Sequence, residues 1–436
     1  MSSERSRADG GTAQGRVLPA VERHFGPATH IQLGMLAAVL LALLTAPMWG
    51  RPYLFVLTLG CIWAILAMGW DIISGHTGYI SFGHSALSGA GAYAMALTLN
   101  HVNPDLPLLV TLLLSVVAAW AIGMAFALPS LRLRGPYFSL MTLLAVLILY
   151  RLAYPFAGLT GGELGLSVPP LIADRVMRYY LSLGTMVLIA VGLLYVSRSN
   201  VGMVLVAIRD NEEAVEAAGL DTTKFKLWAF TLSSIPMGIG GAYLGHFFGN
   251  VDPETLLLID RSIEMIVMSA IGGMGSILGP VFGAMLFVFL RDEFLLHTID
   301  LSSTQRWVVF WALAGLLLLY AREGIFRRHW HWLGQFDDRR ELARGTGEWI
   351  RGLPARVRAW THPETWRARG AALRGEIRRW YGRGGDTGGR NDGRRRGGDT
   401  DRRNDDHRRG DDADRRNDDH RRGDDGDDAS DGGDRR

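Results

Sequence analysis

Cysteine and lysine are almost missing from this chain: its 436 residues include one cysteine, Cys61, and two lysines, Lys224 and Lys226. A lone thiol cannot close an internal disulfide, and Cys61 sits in an apolar run where a small buried residue is expected. A Walker phosphate loop requires Gly-Lys-Ser/Thr, and neither lysine follows a glycine, so ATP hydrolysis by that route is excluded. No His-x-x-x-His pair, cysteine cluster or Gly-x-Ser-x-Gly elbow stands in a context that supports metal or nucleophilic catalysis. The expectation is no catalytic residue, no metal and no cofactor. Carboxylates are also scarce inside the apolar runs, which argues against an ion-coupled secondary transporter, because proton or sodium coupling needs them there.

What is present is apolar length. The chain is 48% hydrophobic, and that share is concentrated in its first three quarters. Successive runs of roughly 17–25 residues suit helices crossing a hydrocarbon core. They fall at 31–49, 53–70, 84–100, 107–128, 137–157, 179–197, 225–247, 257–272, 277–297 and 304–321. The expected fold is therefore all-α, a polytopic membrane protein of about ten transmembrane helices. The first run begins late and is full length, so a cleaved signal peptide is not expected.

Basic residues in short loops mark the cytoplasmic side. Arg132 and Arg134, then Arg198, Arg209, Lys224 and Lys226, then Arg322, Arg327 and Arg328 share one side only if both termini are cytoplasmic. The tail 1–30, with Arg5, Arg7, Arg16 and Arg23, agrees. Four regions are expected: this tail, a transmembrane domain 31–321, a juxtamembrane extension 322–383 and a tail 384–436. Trp349, Trp360, Trp366 and Trp380 alternate with basic residues in the extension, which suits a helix in the lipid headgroup layer or else a solvated linker. From Gly384 onward the chain has almost nothing to bury and is expected to be disordered. There, Arg402-Arg403-Asn404-Asp405-Asp406-His407 recurs from Arg415 with a period of roughly thirteen residues. An aspartate pair follows each arginine pair closely, so no sustained basic patch remains for nucleic acid.

Between the runs ending at 197 and starting at 225 lies the most informative polar stretch. Ala207 to Gly219 is a dozen good helix formers ending on a glycine stop, more than a simple connection requires. Such an element reads as a helix presented for docking, or else as an amphipathic loop lying on the membrane surface. Arg209, Asp210, Asn211, Glu212, Glu213 and Glu216 supply charge or polarity, Ala214 permits close approach, and Gly219 turns the chain back. Glu213-Ala214, with Gly219 five residues later, resembles the Glu-Ala-Ala-x-x-x-Gly loop of ABC importer permeases, although Val215 replaces one alanine and the Ile-x-Leu-Pro that often follows is absent.

Other segments continue the likeness in order. They are Gly75-His76-Thr77-Gly78-Tyr79-Ile80-Ser81-Phe82-Gly83-His84, Leu131-Arg132-Leu133-Arg134-Gly135-Pro136-Tyr137, Leu159-Thr160-Gly161-Gly162, Val251-Asp252-Pro253-Glu254 and Gly272-Gly273-Met274-Gly275-Ser276 through Pro280. From the first run to Tyr320 the chain resembles the LivM-type permease subunits of branched-chain amino acid ABC importers, a family that also includes urea and short-amide permeases. The resemblance implies a multi-pass inner-membrane subunit that carries branched-chain amino acids by ATP-driven alternating access. It also implies a second homologous permease subunit, two ABC ATPase subunits coupled through the helix from Arg209 to Gly219, and a periplasmic substrate-binding protein, all around a chain embedded in membrane lipid.

Three further features bear on the pathway. Gly75, Gly78 and Gly83 suit either a broken helix near the pathway or an ordinary turn. Gly272, Gly273 and Gly275 suit either a hinge or close helix packing. Of the ionisable residues beside apolar runs, Glu264 stands three residues after Arg261 and suits either an ion pair with it or a pathway role, and His84 suits either hydrogen bonds to backbone in the glycine-rich turn or contact with the solute.

Overall fold

The computed structural model describes residues 30–48, 50, 53–131, 133, 135–170, 172–294, 303–320, 324–326 and 329. Residues 1–29, Arg132, Arg134, Arg322, Arg327, Arg328, nearly all of the extension 322–383 and the whole tail 384–436 lie outside the described residues.

The described chain is helical: α1 His30–Thr45, α2 Tyr53–Thr77, α3 His84–Leu97, α4 Leu108–Ser130, α5 Pro136–Ala153, α6 Ala157–Thr160, α7 Arg175–Ser197, α8 Asn200–Ala217, α9 Thr222–Phe248, α10 Pro253–Leu256, α11 Ile259–Gly272, α12 Leu278–Phe289 and α13 Ser303–Tyr320. Single π-helical stretches, Thr98–Val102 and Leu290–Phe294, extend α3 and α12. Two-residue strands, β1 Leu166–Ser167 and β2 Asn250–Val251, pair antiparallel with Leu166 opposite Val251. Each expected apolar run overlaps a helix, and four of these, α2, α4, α5 and α7, are long and apolar enough to cross a membrane by length and composition.

Local chemistry sets several boundaries. The Asp174 carboxylate accepts from Met177 N at 2.8 Å to start α7, and Asp221 accepts from Lys224 N at 3.2 Å, which starts α9 ahead of its apolar run. α2 runs to Thr77, beyond the expected end at 70, so Gly75 is helical and the glycine-rich turn shrinks to 78–83. The cause is packing, because a Cβ on Gly75 would lie 2.6 Å from Gly275 N.

α2 is the central pillar. It is apolar all round and buried from Leu54 to Thr77 except at a few positions near its start, with Trp63 and Trp70 enclosed. α9 and α12 pack along it, and α4 and α3 cover α9. α4 and α7 turn large apolar side chains outward, Leu109 at 79% exposure and Leu188 at 73% among them, a surface suited to lipid or another membrane subunit. The turn 78–83, the segment 198–222 and the glycines 272–279 gather at one end. At the other, Asn100 Nδ2 donates to Ser167 O at 3.0 Å beside the β pair.

Helix contacts in the interior rest on small residues. A Cβ on Gly91 of α3 would lie 2.8 Å from Gly238 Cα of α9, and one on Gly238 would lie 2.6 Å from Val116 Cα of α4. Gly91→Val is therefore expected to force α3 from α9 at a cost of about 1–3 kcal/mol, read as a lower midpoint of thermal unfolding in detergent.

Candidate functional site

α8 is two helices, not the single rod expected from Ala207 to Gly219. Asn211 is extended, with φ −161° and ψ 96°, and its Oδ1 accepts from Ala214 N at 3.0 Å. Asparagine thus ends one helix and caps the next, a competition that summed propensity does not register. The second piece, 212–217, stops where expected. Gly219 takes φ +86°, its N donates to Glu216 O at 2.9 Å, and Leu220 N reaches Val215 O at 3.3 Å, a Schellman closure.

This short helix has two sides. Glu213, Ala214 and Ala217 are exposed, as is Asp210 just before the break, while Val215 is buried. Glu212 turns inward and accepts from the Tyr79 hydroxyl and from Lys226 Nζ. The Thr222 hydroxyl lies between Glu212 and Glu216, at 3.0 and 2.9 Å from their carboxylates. Lys226 is buried, donates to the Tyr79 hydroxyl at 3.1 Å, and stands 4.2 Å from that ring's centroid. Burial alone would raise the Glu212 pKa, but hydrogen bonds from Lys226 and Tyr79 outweigh it and hold the carboxyl below its ordinary value. Glu212 is therefore a carboxylate at neutral pH.

A second knot lies one turn earlier. Arg209 Nη1 donates to Gly75 O at 2.6 Å. Gly78 takes φ +77° and Gly275 φ +78°, and a Cβ on either would approach the Arg209 side chain, at 3.1 and 2.8 Å. Gly275 N donates to the buried Asp71 carboxylate at 2.7 Å, with His76 Nδ1 at 3.7 Å from the same carboxylate. Arg209, Gly75, Gly78 and Gly275 thus meet, and α8, the end of α2 and the α11–α12 turn are joined through them. Gly272 and Gly273 complete that turn; Gly273 has φ +113°, and the Gly279 carbonyl leaves no room for a side chain on Gly272.

The remaining expected residues sit elsewhere. Gly83 packs against the Thr142 backbone and precedes His84, whose buried ring bridges Ser81 Oγ at 3.0 Å and Ser233 Oγ at 3.1 Å. Its partners are hydroxyls instead of the loose backbone expected, and Ser233 in turn donates to Gly69 O at 2.7 Å. Glu264 is buried and accepts from Arg261 at 3.0 Å, as the spacing indicates, and also from Arg291 at 3.0 Å. Both guanidinium groups lie 5.9 Å from the Trp63 ring centroid. Asp71, Tyr79 and Arg291 went unread as site residues, and Lys226 was read only for its charge. The signals were an aspartate directly after one apolar run, an arginine inside another and the extreme rarity of lysine. Among the described residues no group of three His, Cys, Asp or Glu is placed to hold a metal.

Residues 53–321 match the family described as branched-chain amino acid transport system / permease component. The chain is similar to the high-affinity branched-chain amino acid transport system permease protein LivM of Salmonella typhimurium, 28% identical over 308 residues, covering 63% of this chain and 71% of the relative. The Escherichia coli K12 LivM matches to the same extent. The LivH permease protein of the same transport system in Salmonella typhimurium is 21% identical over 291 residues, covering 62% of this chain and 93% of the relative. No solved structure gives a significant match.

The Glu212–Lys226 knot predicts a non-additive cycle. Lys226→Met leaves a partly buried carboxylate unpaired and is expected to speed backbone amide exchange across 212–219; adding Glu212→Gln should return part of the protection.

Proposed function

Since the chain belongs to the permease component family of branched-chain amino acid transport systems, we propose that it is a translocating subunit of an ABC importer for branched-chain amino acids. The observation that carries this reading is the capped helix 212–217, exposed along Glu213 and Ala214 yet knotted to the bundle through Glu212 and Arg209. An element open on one side and bound on the other can pass a displacement inward. ATP is hydrolysed by two partner ATPase subunits that dock on the exposed side, and their closure moves α8 with the turns it holds. ATP then acts by binding one of two permease conformations better than the other.

In this reading the end carrying α8 is cytoplasmic, both termini lie on that side, and the ten apolar helices cross the bacterial inner membrane. The domain 31–321 is the permease proper, 322–383 a juxtamembrane extension and 384–436 a charged tail. A second, related permease covers part of the exposed apolar surface, with lipid on the rest, and a periplasmic protein delivers the solute.

Gly219→Pro removes the donor that closes the helix, and Glu213→Arg reverses charge on the exposed side. Each is expected to abolish ATP-driven leucine uptake in proteoliposomes holding the whole importer, with the same amount of permease inserted. Unchanged uptake in both would contradict the docking role.

A further inference from the structure

The Glu264 cluster lies at an unusual depth. Trp63 stands ten residues after Tyr53, about 15 Å along α2, which at 25 residues is roughly 37 Å long. The two guanidinium groups over its ring are therefore near the middle of the span, where ionised side chains are costly and mark solute pathways. α11 begins beside them. Its 14 residues reach about 21 Å, short of a hydrocarbon core of roughly 30 Å. It runs alongside α2 toward the α8 end, where Ser269 Oγ donates to Ala67 O at 3.2 Å.

That first turn borders a cavity of about 530 Å³ lined by Leu258, Asp260, Arg261, Ile263, Glu264 and Trp311. The volume falls in the range of small-molecule sites. The charges in it are unequally committed. Glu264 is fully engaged by Arg261 and Arg291. Arg261 spends Nε on Thr255 O at 2.8 Å and Nη1 on Glu264, leaving Nη2 uncommitted among the described residues. Asp260 is exposed and makes no hydrogen bond or ion pair with another described residue. One cavity thus offers a spare cation donor and a spare carboxylate beside the apolar faces of Leu258, Ile263 and Trp311.

We propose that this cavity is a transient binding site for a zwitterionic amino acid with an aliphatic side chain. Arg261 Nη2 takes the α-carboxylate, assisted by the N-terminal dipole of α11. Asp260 takes the α-ammonium group, and the aliphatic chain lies against Leu258, Ile263 and Trp311. Glu264 is a positioning residue: pairing with both arginines over Trp63, it holds Arg261 in place and lowers the cost of the buried charges. A neutral amide or sugar can meet these two groups only through hydrogen bonds, whereas a zwitterion also neutralises both charges. The inference rests on the importer reading and adds where its solute is held and by which groups.

The test uses photo-leucine, a diazirine analogue of leucine, on the whole importer in nanodiscs, with ATP-driven leucine uptake measured on the same preparation in proteoliposomes. Photolysis is expected to label residues of α11 and α13 around Ile263 and Trp311. Excess leucine should suppress the label, while 4-methylpentanoate and isoamylamine, each carrying one of the two charged groups, should suppress it far less. Asp260→Asn and Arg261→Gln should each lower the leucine-suppressible label about tenfold or more, at an equal amount of assembled importer. Label outside this cavity, or label in it that is indifferent to both substitutions, in a preparation that pumps leucine with ATP would overturn the site alone. A preparation with no ATP-driven leucine uptake would overturn the importer reading and the site with it.

Discussion

A single buried ion pair decides how this molecule behaves at its α8 end. Lys226, one of only two lysines, is buried in the first turns of α9 and finds its counter-charge on Glu212, fourteen positions earlier on a different helix. Removing either charge alone leaves the other partly desolvated, a far larger penalty than the net worth of the pair. Tyr79 and Thr222 take up remaining donors and acceptors, so the knot holds α8, α9 and the turn after α2 in one arrangement. Everything outward of it, Glu213 and Ala214 above all, is presented by that arrangement.

The glycines serve the same end. Gly75 and Gly275 let two chain segments approach Arg209 and Asp71 so closely that side chains there would collide, and Gly78 supplies the positive φ of the turn between α2 and α3. Backbone carbonyls and amides at that junction bond to Arg209 and Asp71 instead of to water, which suits a junction at the edge of a hydrocarbon layer. Farther along α2 the Glu264–Arg261–Arg291 cluster repeats the theme, with charge held in an apolar bundle by mutual pairing over an aromatic face.

Periodicity and apolar length were readable without coordinates, because a span must satisfy its own backbone and the bilayer fixes its size. Each expected run accordingly overlaps a helix. Gly219 was legible for a related reason, since the backbone conformation that ends α8 belongs to glycine. The break at Asn211 was not, because it turns on one side chain capturing a local N–H against a favourable summed propensity. The inward face of Glu212 and the second arginine on Glu264 were hidden by distance along the chain: Tyr79 is 133 residues from Glu212, and Arg291 is 27 from Glu264. Spacing rules reach three or four residues and so found Arg261 only.

The central claim is that α8 and the turn 78–83 move as one body when the importer changes state. Cysteines placed at the exposed positions Ala218, at the end of α8, and Ile80 can carry spin labels, since the native Cys61 is buried. The distance between the labels, measured by electron–electron dipolar spectroscopy in the assembled importer without nucleotide and trapped with ATP, tests it directly. The account predicts the same distance in both states. A distance that shifts with nucleotide would mean that the helix slides free of the bundle and that the Glu212–Lys226 knot is not the link.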